Sequence, residues 1–246
     1  TLLLDSTTEK LAGTKCTNGT DYWVLAHGWN SDSFYAYKIT SAGILSPVVS
    51  ATGLIHNGSS GQKSEAIGYM KFSHTGNRIA LACYQNMNVV QIFDFDNTTG
   101  IVSNPITDSN FPISSTDGPY GICFSPDDSK LYVSSFGLPG KVFQYDMLAG
   151  TGSQIISSRT LVASEINYGI GAIETAPDEK IYIAKNVFGS SSGSDSIDVI
   201  NNPNSLGASC NYVVNGFSLF NQSKSFWGLP NTIYGLTISP LAVKNI

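Results

Sequence analysis

The run DFDNTTG at residues 94–100 places oxygen-bearing side chains in an order similar to a calcium-binding loop. The candidate ligands are Asp94, Asp96 and Asn97. An EF-hand loop needs a further ligand and a glutamate at its end, and the following residues, TTGIVSN, contain no glutamate. We therefore expect an Asx-type turn between two outer strands and no cofactor, with Ca²⁺ binding as the alternative.

The three histidines do not suggest a metal centre. His27 follows the strand-like run YWVLA and precedes GWN, whereas His56 and His74 lie in a loop and a turn. No cysteine or second histidine stands at ligand spacing beside His27. We expect His27 to lie at a strand end, where it contacts a ligand or partner, and we expect His74 to be solvated.

Residues for nucleophilic or glycosidic catalysis are sparse. The sequence has no G-x-S-x-G motif, and most carboxylates lie in turns, where they are solvated. Glu174 lies within a strand-like run and Glu65 precedes another, so a carboxylate pair from these two is the enzymatic alternative. We predict no catalytic residues and a protein that is not an enzyme.

Composition excludes some classes of partner. Only 13% of the residues are charged, the formal net charge is −5, and the basic residues do not cluster, which disfavours nucleic acid as a partner. The sequence contains no stretch of 18 apolar residues, so it does not indicate a transmembrane helix. The cysteines are widely spaced; we expect Cys83 and Cys123 to be buried, and Cys210, in GASCNY, to be exposed or in a disulfide. The role of Cys16 stays open.

Internal repeats reveal the elements that position these residues. A strand, a turn and a second strand recur in FSHTGNRIALAC from Phe72, FSPDDSKLYVSS from Phe124 and TAPDEKIYIAK from Thr175, about every 50 residues. A further strand ending at a glycine follows each hairpin, as in KVFQYDMLAG. Period-two alternation favours strands, and no amphipathic helix is indicated. A repeat of this length with four short strands is typical of a β-propeller blade.

We therefore predict one all-β domain over residues 1–246, a β-propeller of four-stranded antiparallel blades. The predicted blades span 10–56, 66–115, 118–164 and 168–233. For the remaining tail, IYGLTISPLAVKNI, two alternatives stay open: a strand of an incomplete blade, or the exit into a following segment. Because four blades is the lower limit for propellers, we expect the chain to be part of a larger one. A compact four-blade closure and a β-sandwich are the alternatives.

Aromatic residues provide the candidate contact surface. A Tyr-Gly pair precedes the first strand of a repeat in GPYGI, NYGIGAI and IYGLTI. Because that strand lines the channel, we expect Tyr120, Tyr168 and Tyr234 to ring one mouth of it. The conformational alternative is that the glycine permits a tight entry and the tyrosine packs on the next blade. Trp29, in HGWNSDSF, is the best candidate for an exposed aromatic residue.

Several segments together resemble a known family. The segments YGICFSPDDSKLYVSS, IGAIETAPDEKIYIA and IDVINNPNSLGASCNY are similar to a WD-like or YVTN-like β-propeller region of secreted Bacteroidetes proteins. Many of those proteins carry a sorting domain of type IX secretion, associated with gliding motility. The similarity covers residues 8–231. It implies export across the outer membrane and an extracellular or cell-surface location.

The function expected from this resemblance is binding or scaffolding without catalysis. A protein partner or a surface glycan would be held by the loops and the channel mouth, and the family supplies no catalytic residues to transfer. One alternative is a component or client of the secretion and gliding machinery at the outer membrane. Another is a lactonase-like or glycan-active propeller enzyme.

Overall fold

The computed structural model describes residues 2–58, 63–112, 117–187 and 191–234. Four antiparallel sheets follow one another along the sequence and form the blades of a β-propeller, so the predicted all-β propeller fold is confirmed. In the part of the chain that is described, no helix is long and apolar enough to cross a membrane.

The four blades, named A to D, each form from consecutive strands. Blade A contains β1 (Thr7–Lys15), β2 (Tyr22–Gly28), β3 (Ser31–Thr40), the two-residue β4 (Gly43–Ile44) and β5 (Val48–His56). Blade B contains β6 (Met70–Phe72), β7 (Arg78–Cys83), β8 (Val89–Asp96) and β9 (Ile101–Asp108). Blade C contains β10 (Gly118–Phe124), β11 (Lys130–Phe136), β12 (Gly140–Asp146) and β13 (Thr160–Glu165). Blade D contains β14 (Tyr168–Thr175), β15 (Ile181–Val187), β16 (Ser196–Ile200) and β17 (Tyr212–Ser218).

The repeated hairpin turn has the same conformation in blades B, C and D. Its fourth residue is Gly76, Asp128 or Glu179, with φ of 67°, 60° and 62°. The amide of each donates a 2.9 Å hydrogen bond to the carbonyl three residues earlier. Because the left-handed region is costly for most side chains, this turn explains why small or acidic residues recur there.

Strand alternation sends successive side chains to opposite neighbouring blades. In β11, Leu131 and Val133 belong to the core between blades B and C, whereas Tyr132 belongs to the core between blades C and D. A third core between blades A and B includes Trp23 and Phe93. Burial on both faces explains why these strands carry large apolar side chains at nearly every position.

The segment 227–234, which we call the axial segment, runs along the centre of the propeller. The Trp227 carbonyl accepts a hydrogen bond from the amide of Ala172 in blade D at 2.8 Å. At the other end, Tyr234 forms a parallel bridge with Thr14 of blade A. Among the described residues, the axial segment therefore connects blade D to blade A.

Close packing at the axis depends on glycine. A Cβ atom on Gly121 would lie 2.4 Å from the carbonyl oxygen of Gly171, and one on Gly171 would lie 2.3 Å from that of Trp227. Both distances are far below van der Waals contact, so the backbones approach this closely only because neither residue has a side chain.

Among the described residues, no further blade covers the outward face of blade D. Tyr182 occupies the repeat position of Tyr132, but it lines an open cleft of about 530 Å³ together with Ile197, Phe217 and Leu229. Phe220, which packs edge-on against Phe217, is 74% exposed. In blade C, this face is covered by blade D. In blade D, the equivalent face is an apolar surface.

One sequence-based expectation about the fold was wrong. Cys210 is fully buried with a free thiol, because the 3₁₀ helix Gly207–Cys210 turns its side chain into the core between blades C and D. A short helix, α1 (Gly152–Ser157), also forms between β12 and β13. Thr151 caps it through a capping box with Gln154, a local signal that needs no amphipathic pattern.

Candidate functional site

Five aromatic side chains gather at the end of the propeller where the innermost strands begin. We call Tyr69, Tyr84, Tyr120, Phe136 and Trp227 the aromatic mouth. The ring centroid of Tyr120 lies 5.4 Å from that of Tyr69 and 5.2 Å from that of Phe136. Phe136 in turn lies 4.5 Å from Trp227. Most of these contacts are edge-to-face, the geometry that aromatic quadrupoles favour.

Backbone hydrogen bonds fix these rings at the channel end. The amide of Tyr69, just before β6, donates to the carbonyl of Tyr120 in β10 at 2.9 Å. Gly68 has φ of 117°, and a Cβ there would lie 2.3 Å from the Ala82 carbonyl oxygen, so only glycine allows this entry into blade B. Four rings of the mouth remain half-buried, and Tyr84 is buried.

A cleft of about 340 Å³ opens beside the mouth. It is lined by Glu9 and Leu11 of β1, by the rings of Tyr69 and Tyr120, and by Leu229 and Asn231 of the axial segment. Burial raises the pKa of Tyr120 to about 12, and the nearby Tyr69 and Glu9 add to this rise. Both tyrosines therefore stay protonated at neutral pH and present hydroxyl groups.

A buried ion pair closes the axis beneath the cleft. The ammonium of Lys71, in β6 of blade B, contacts the Glu174 carboxylate in β14 of blade D. Lys71 is 2% exposed and also donates to the Asn231 side-chain oxygen at 2.5 Å. Thr232 donates to the second oxygen of Glu174. This network ties two opposite blades to the axial segment.

The three tyrosines of the Tyr-Gly pairs do not form one ring. Tyr120 belongs to the aromatic mouth, whereas the Tyr168 ring lies 4.6 Å from the buried ammonium of Lys185. Tyr234 lies toward the opposite end, where its hydroxyl approaches the Cys123 sulfur at 3.6 Å and its ring packs on His74 at 3.8 Å. Tyr234 forms a parallel bridge with Thr14 of β1, which is why it differs from the other two.

The other contact candidates occupy different environments. Trp29 is half-buried in the turn between β2 and β3, at the end of blade A where β1 begins. His27 is 1% exposed and stacks on His56 at 4.2 Å, so it is unavailable to a partner in this conformation. The strand-end position predicted for His27 is correct, but Phe34 and His56 of the same blade pack against its ring.

A buried lysine stands near the two histidines. The ammonium of Lys10 donates to the carbonyls of Glu65, Ala66 and Ile67 at 3.0–3.2 Å. Burial lowers the pKa of Lys10 to about 8. Burial also lowers the pKa of His27 to about 4, and the Lys10 charge adds to this. The site is internal and stabilises the junction between blades A and B.

The calcium candidates are engaged with protein groups. Asp96 accepts hydrogen bonds from the amides of Thr98 and Thr99, the expected Asx-type turn. Asp94 accepts from Asn104 and faces Arg78. The Asn97 side chain points into the junction with blade A, where its oxygen accepts from the Thr17 amide. Within the described ranges, no three His, Cys, Asp or Glu side chains are arranged to hold a metal ion.

His74 and the glutamates also have defined environments. Asp128 accepts hydrogen bonds from the His74 and Thr75 amides at 2.7 and 2.9 Å, so His74 links two blades and is not merely solvated. Glu174 pairs with Lys71 at the axis. Glu65 instead accepts from the amides of Asn57 and Gly58. Each glutamate thus belongs to its own hydrogen-bond network.

Most residues of the mouth have no signature in the sequence. Only Tyr120 carries the repeated Tyr-Gly motif, and the other members are Tyr69, Tyr84, Phe136 and Trp227. One signal was available, because GYMKF at 68–72 places a Gly-Tyr pair before the first strand of blade B, with the two residues in the reverse order. The other residues meet only through the packing of the blades.

No protein-family model matches the chain, and no curated protein sequence matches it. Among solved structures, it is similar to a candidate 6-phosphogluconolactonase of Bacteroides uniformis at 17% identity and a TM-score of 0.48. That match covers 76% of this chain and 49% of the other. The counterpart from Bacteroides fragilis has 13% identity and a TM-score of 0.45, and the match covers 79% and 53%.

The extracellular domain of a candidate one-component system of B. thetaiotaomicron is also similar, at 13% identity and a TM-score of 0.45. That match covers 94% of this chain and 24% of the other. The chain therefore spans about half, or about a quarter, of the length of these structures. Similarity at this level assigns neither an activity nor a partner to this chain.

Proposed function

We propose that this chain is a non-catalytic binding propeller of an exported cell-surface protein, and that it holds a protein or glycan partner at the aromatic mouth. Export rests on the sequence resemblance described above. The single observation that carries the binding role is the group of half-buried rings beside an open cleft. Such rings offer a large contact area at little cost in side-chain entropy, which is why Tyr and Trp dominate recognition surfaces.

The surroundings of the mouth favour binding over catalysis. Glu174, which contacts the axial segment, is already paired with Lys71 and accepts a hydrogen bond from Thr232. Burial raises the pKa of both tyrosine hydroxyls, so they stay protonated at neutral pH and cannot accept a proton as a general base. Groups in this state can donate hydrogen bonds to a ligand and stack against it.

The test is equilibrium binding to a defined panel of soluble xylan, mannan, amylopectin and short basic, acidic and neutral peptides. We expect at least one class to bind, and we expect Tyr120→Ala to weaken that binding at least tenfold. Tyr182→Ala, on the open face of blade D, is the matched control and should change it less than twofold. Equal effects of the two variants, or no binding to any member of the panel, would contradict the proposal.

The non-catalytic part of the proposal has its own measurement. The purified chain should release no 6-phosphogluconate from 6-phosphogluconolactone above the spontaneous rate, and no reducing sugar from the polysaccharides of the panel. Turnover that Glu174→Gln abolishes would instead establish a propeller enzyme.

A further inference from the structure

The cleft beside the aromatic mouth has one charge of its own. Alternation in β1 buries Thr8, Lys10 and Ala12, and it places Glu9 and Leu11 on the cleft side. Glu9 is exposed, and within the described parts of the chain it forms no ion pair or hydrogen bond. The cleft therefore presents an unneutralised carboxylate.

The nearby cations are already engaged elsewhere. Lys71 lies 5.8 Å from the centre of the Tyr69 ring, but its charge is neutralised by Glu174 and its ammonium is buried. Lys10, the neighbour of Glu9 in sequence, points to the other side of β1, into a set of three carbonyl groups. Among the residues that the structure describes, no basic side chain lines the cleft.

The rings complete a site for a positive group. Tyr69 and Tyr120 line the same cleft as Glu9, with their centroids 5.4 Å apart at 81° to each other. The Tyr120 hydroxyl forms no hydrogen bond to any described residue. Aromatic faces attract guanidinium and ammonium groups, and a carboxylate at the rim supplies the counter-charge.

We propose that this cleft binds the arginine or lysine side chain of a partner protein, with the cation between the tyrosine rings and the Glu9 carboxylate. This inference rests on the proposed function and specifies the ligand of the same mouth. The cleft, at about 340 Å³, is large enough for a single extended side chain. Arginine fits best, because its planar guanidinium stacks on a ring while it donates to a carboxylate.

The test uses two pentapeptides that differ only in charge. One carries a central arginine flanked by glycine and serine, and the other carries citrulline, which has nearly the same shape but is neutral. Binding is followed by NMR shifts of the full chain. We expect the arginine peptide to bind at least tenfold more tightly than the citrulline peptide and to shift the amides of Glu9, Tyr69 and Tyr120.

Two carboxylate variants separate a local effect from overall charge. Glu9→Gln and Glu179→Gln change the net charge equally, and Glu179 lies in an exposed turn of blade D. We expect Glu9→Gln to abolish the preference for arginine and Glu179→Gln to leave it within twofold. An equal loss in both variants would overturn the proposal.

The outcomes distinguish this inference from the proposed function. If arginine and citrulline peptides bind equally and Tyr120→Ala weakens both, the cation preference is wrong while binding at the mouth stands. If neither peptide binds but a polysaccharide binds through Tyr120, the partner is a glycan and this inference fails alone. If nothing binds at the mouth, both proposals fail.

Discussion

The Tyr132 hydroxyl donates a 2.7 Å hydrogen bond to the carbonyl oxygen of Pro203, joining blade C to the turn that follows β16 in blade D. Trp23 makes the corresponding contact two interfaces earlier, between blades A and B, where its indole N–H donates to the Asn97 carbonyl at 2.8 Å. The two residues occupy the same repeat position. At both interfaces, a large aromatic side chain on the second strand therefore donates a hydrogen bond to a turn of the next blade.

Replacing Tyr132 with Phe tests this contact. Tyr132 is fully buried, and its hydroxyl also accepts from the Gln144 side chain, so the variant leaves buried groups without partners. We expect a loss of about 1–3 kcal/mol in the free energy of unfolding. The control is Tyr182→Phe, whose hydroxyl contacts only an exposed Asp178, and it should lose less than about 0.5 kcal/mol. Equal losses by urea titration would contradict the role.

The buried pair of Lys71 and Glu174 yields a second prediction. Lys71→Met leaves an uncompensated carboxylate at the axis and should destabilise the fold by about 3–5 kcal/mol. Adding Glu174→Gln should recover part of that loss, because the remaining charge is removed. A double-mutant cycle by chemical unfolding measures the coupling. Strictly additive losses would show that the two side chains do not interact.

Acid should weaken the junction between blades A and B. Burial lowers the pKa of His27 to about 4 and that of His56 to about 2, both from 6.5. The unfolded chain therefore binds more protons than the native chain below pH 6.5, so stability falls as the pH decreases. Each histidine contributes up to roughly 1.4 kcal/mol per pH unit between pH 6.5 and 4.

The Asp128 carboxylate affects stability at lower pH than the two histidines do, and it serves as their comparison. Burial opposes ionisation of its carboxylate, but hydrogen bonds from His74 and Thr75 outweigh this and lower the pKa below 3.8. Its stabilisation is present above pH 3.8 and is lost as the pH falls further. Asp128→Asn should leave the slope between pH 6.5 and 4 intact, whereas His27→Gln should reduce it. Urea titrations across pH give both slopes.

All four thiols should be unreactive in the native chain. The four cysteines are buried and free, and burial raises the pKa of both Cys83 and Cys123 to about 11. Thiols in this state react slowly because the thiolate is scarce and inaccessible. Ellman's reagent should detect none of them in buffer and all four in guanidinium. Fast reaction of a native thiol, removed by Cys210→Ser, would restore the expectation of an exposed Cys210.

The repeat could be predicted because its signals are local. The turns of 73–76, 125–128 and 176–179 form from residues adjacent in sequence, and strand alternation is visible within one blade. The mouth has no such local signature. Tyr69 and Trp227 are far apart in the chain, and nothing in their neighbours encodes that they share one channel end.

The all-β propeller and the blade repeat could be predicted from residue order, because they depend on spacing and turn chemistry. The burial of His27, the separation of Tyr234 from the other tyrosines and the position of Glu9 at the cleft depend on how the blades pack. The path of the axial segment shows why. Asn231 contacts Leu11 across 220 residues, and such a contact arises from the assembly of all four blades around one axis.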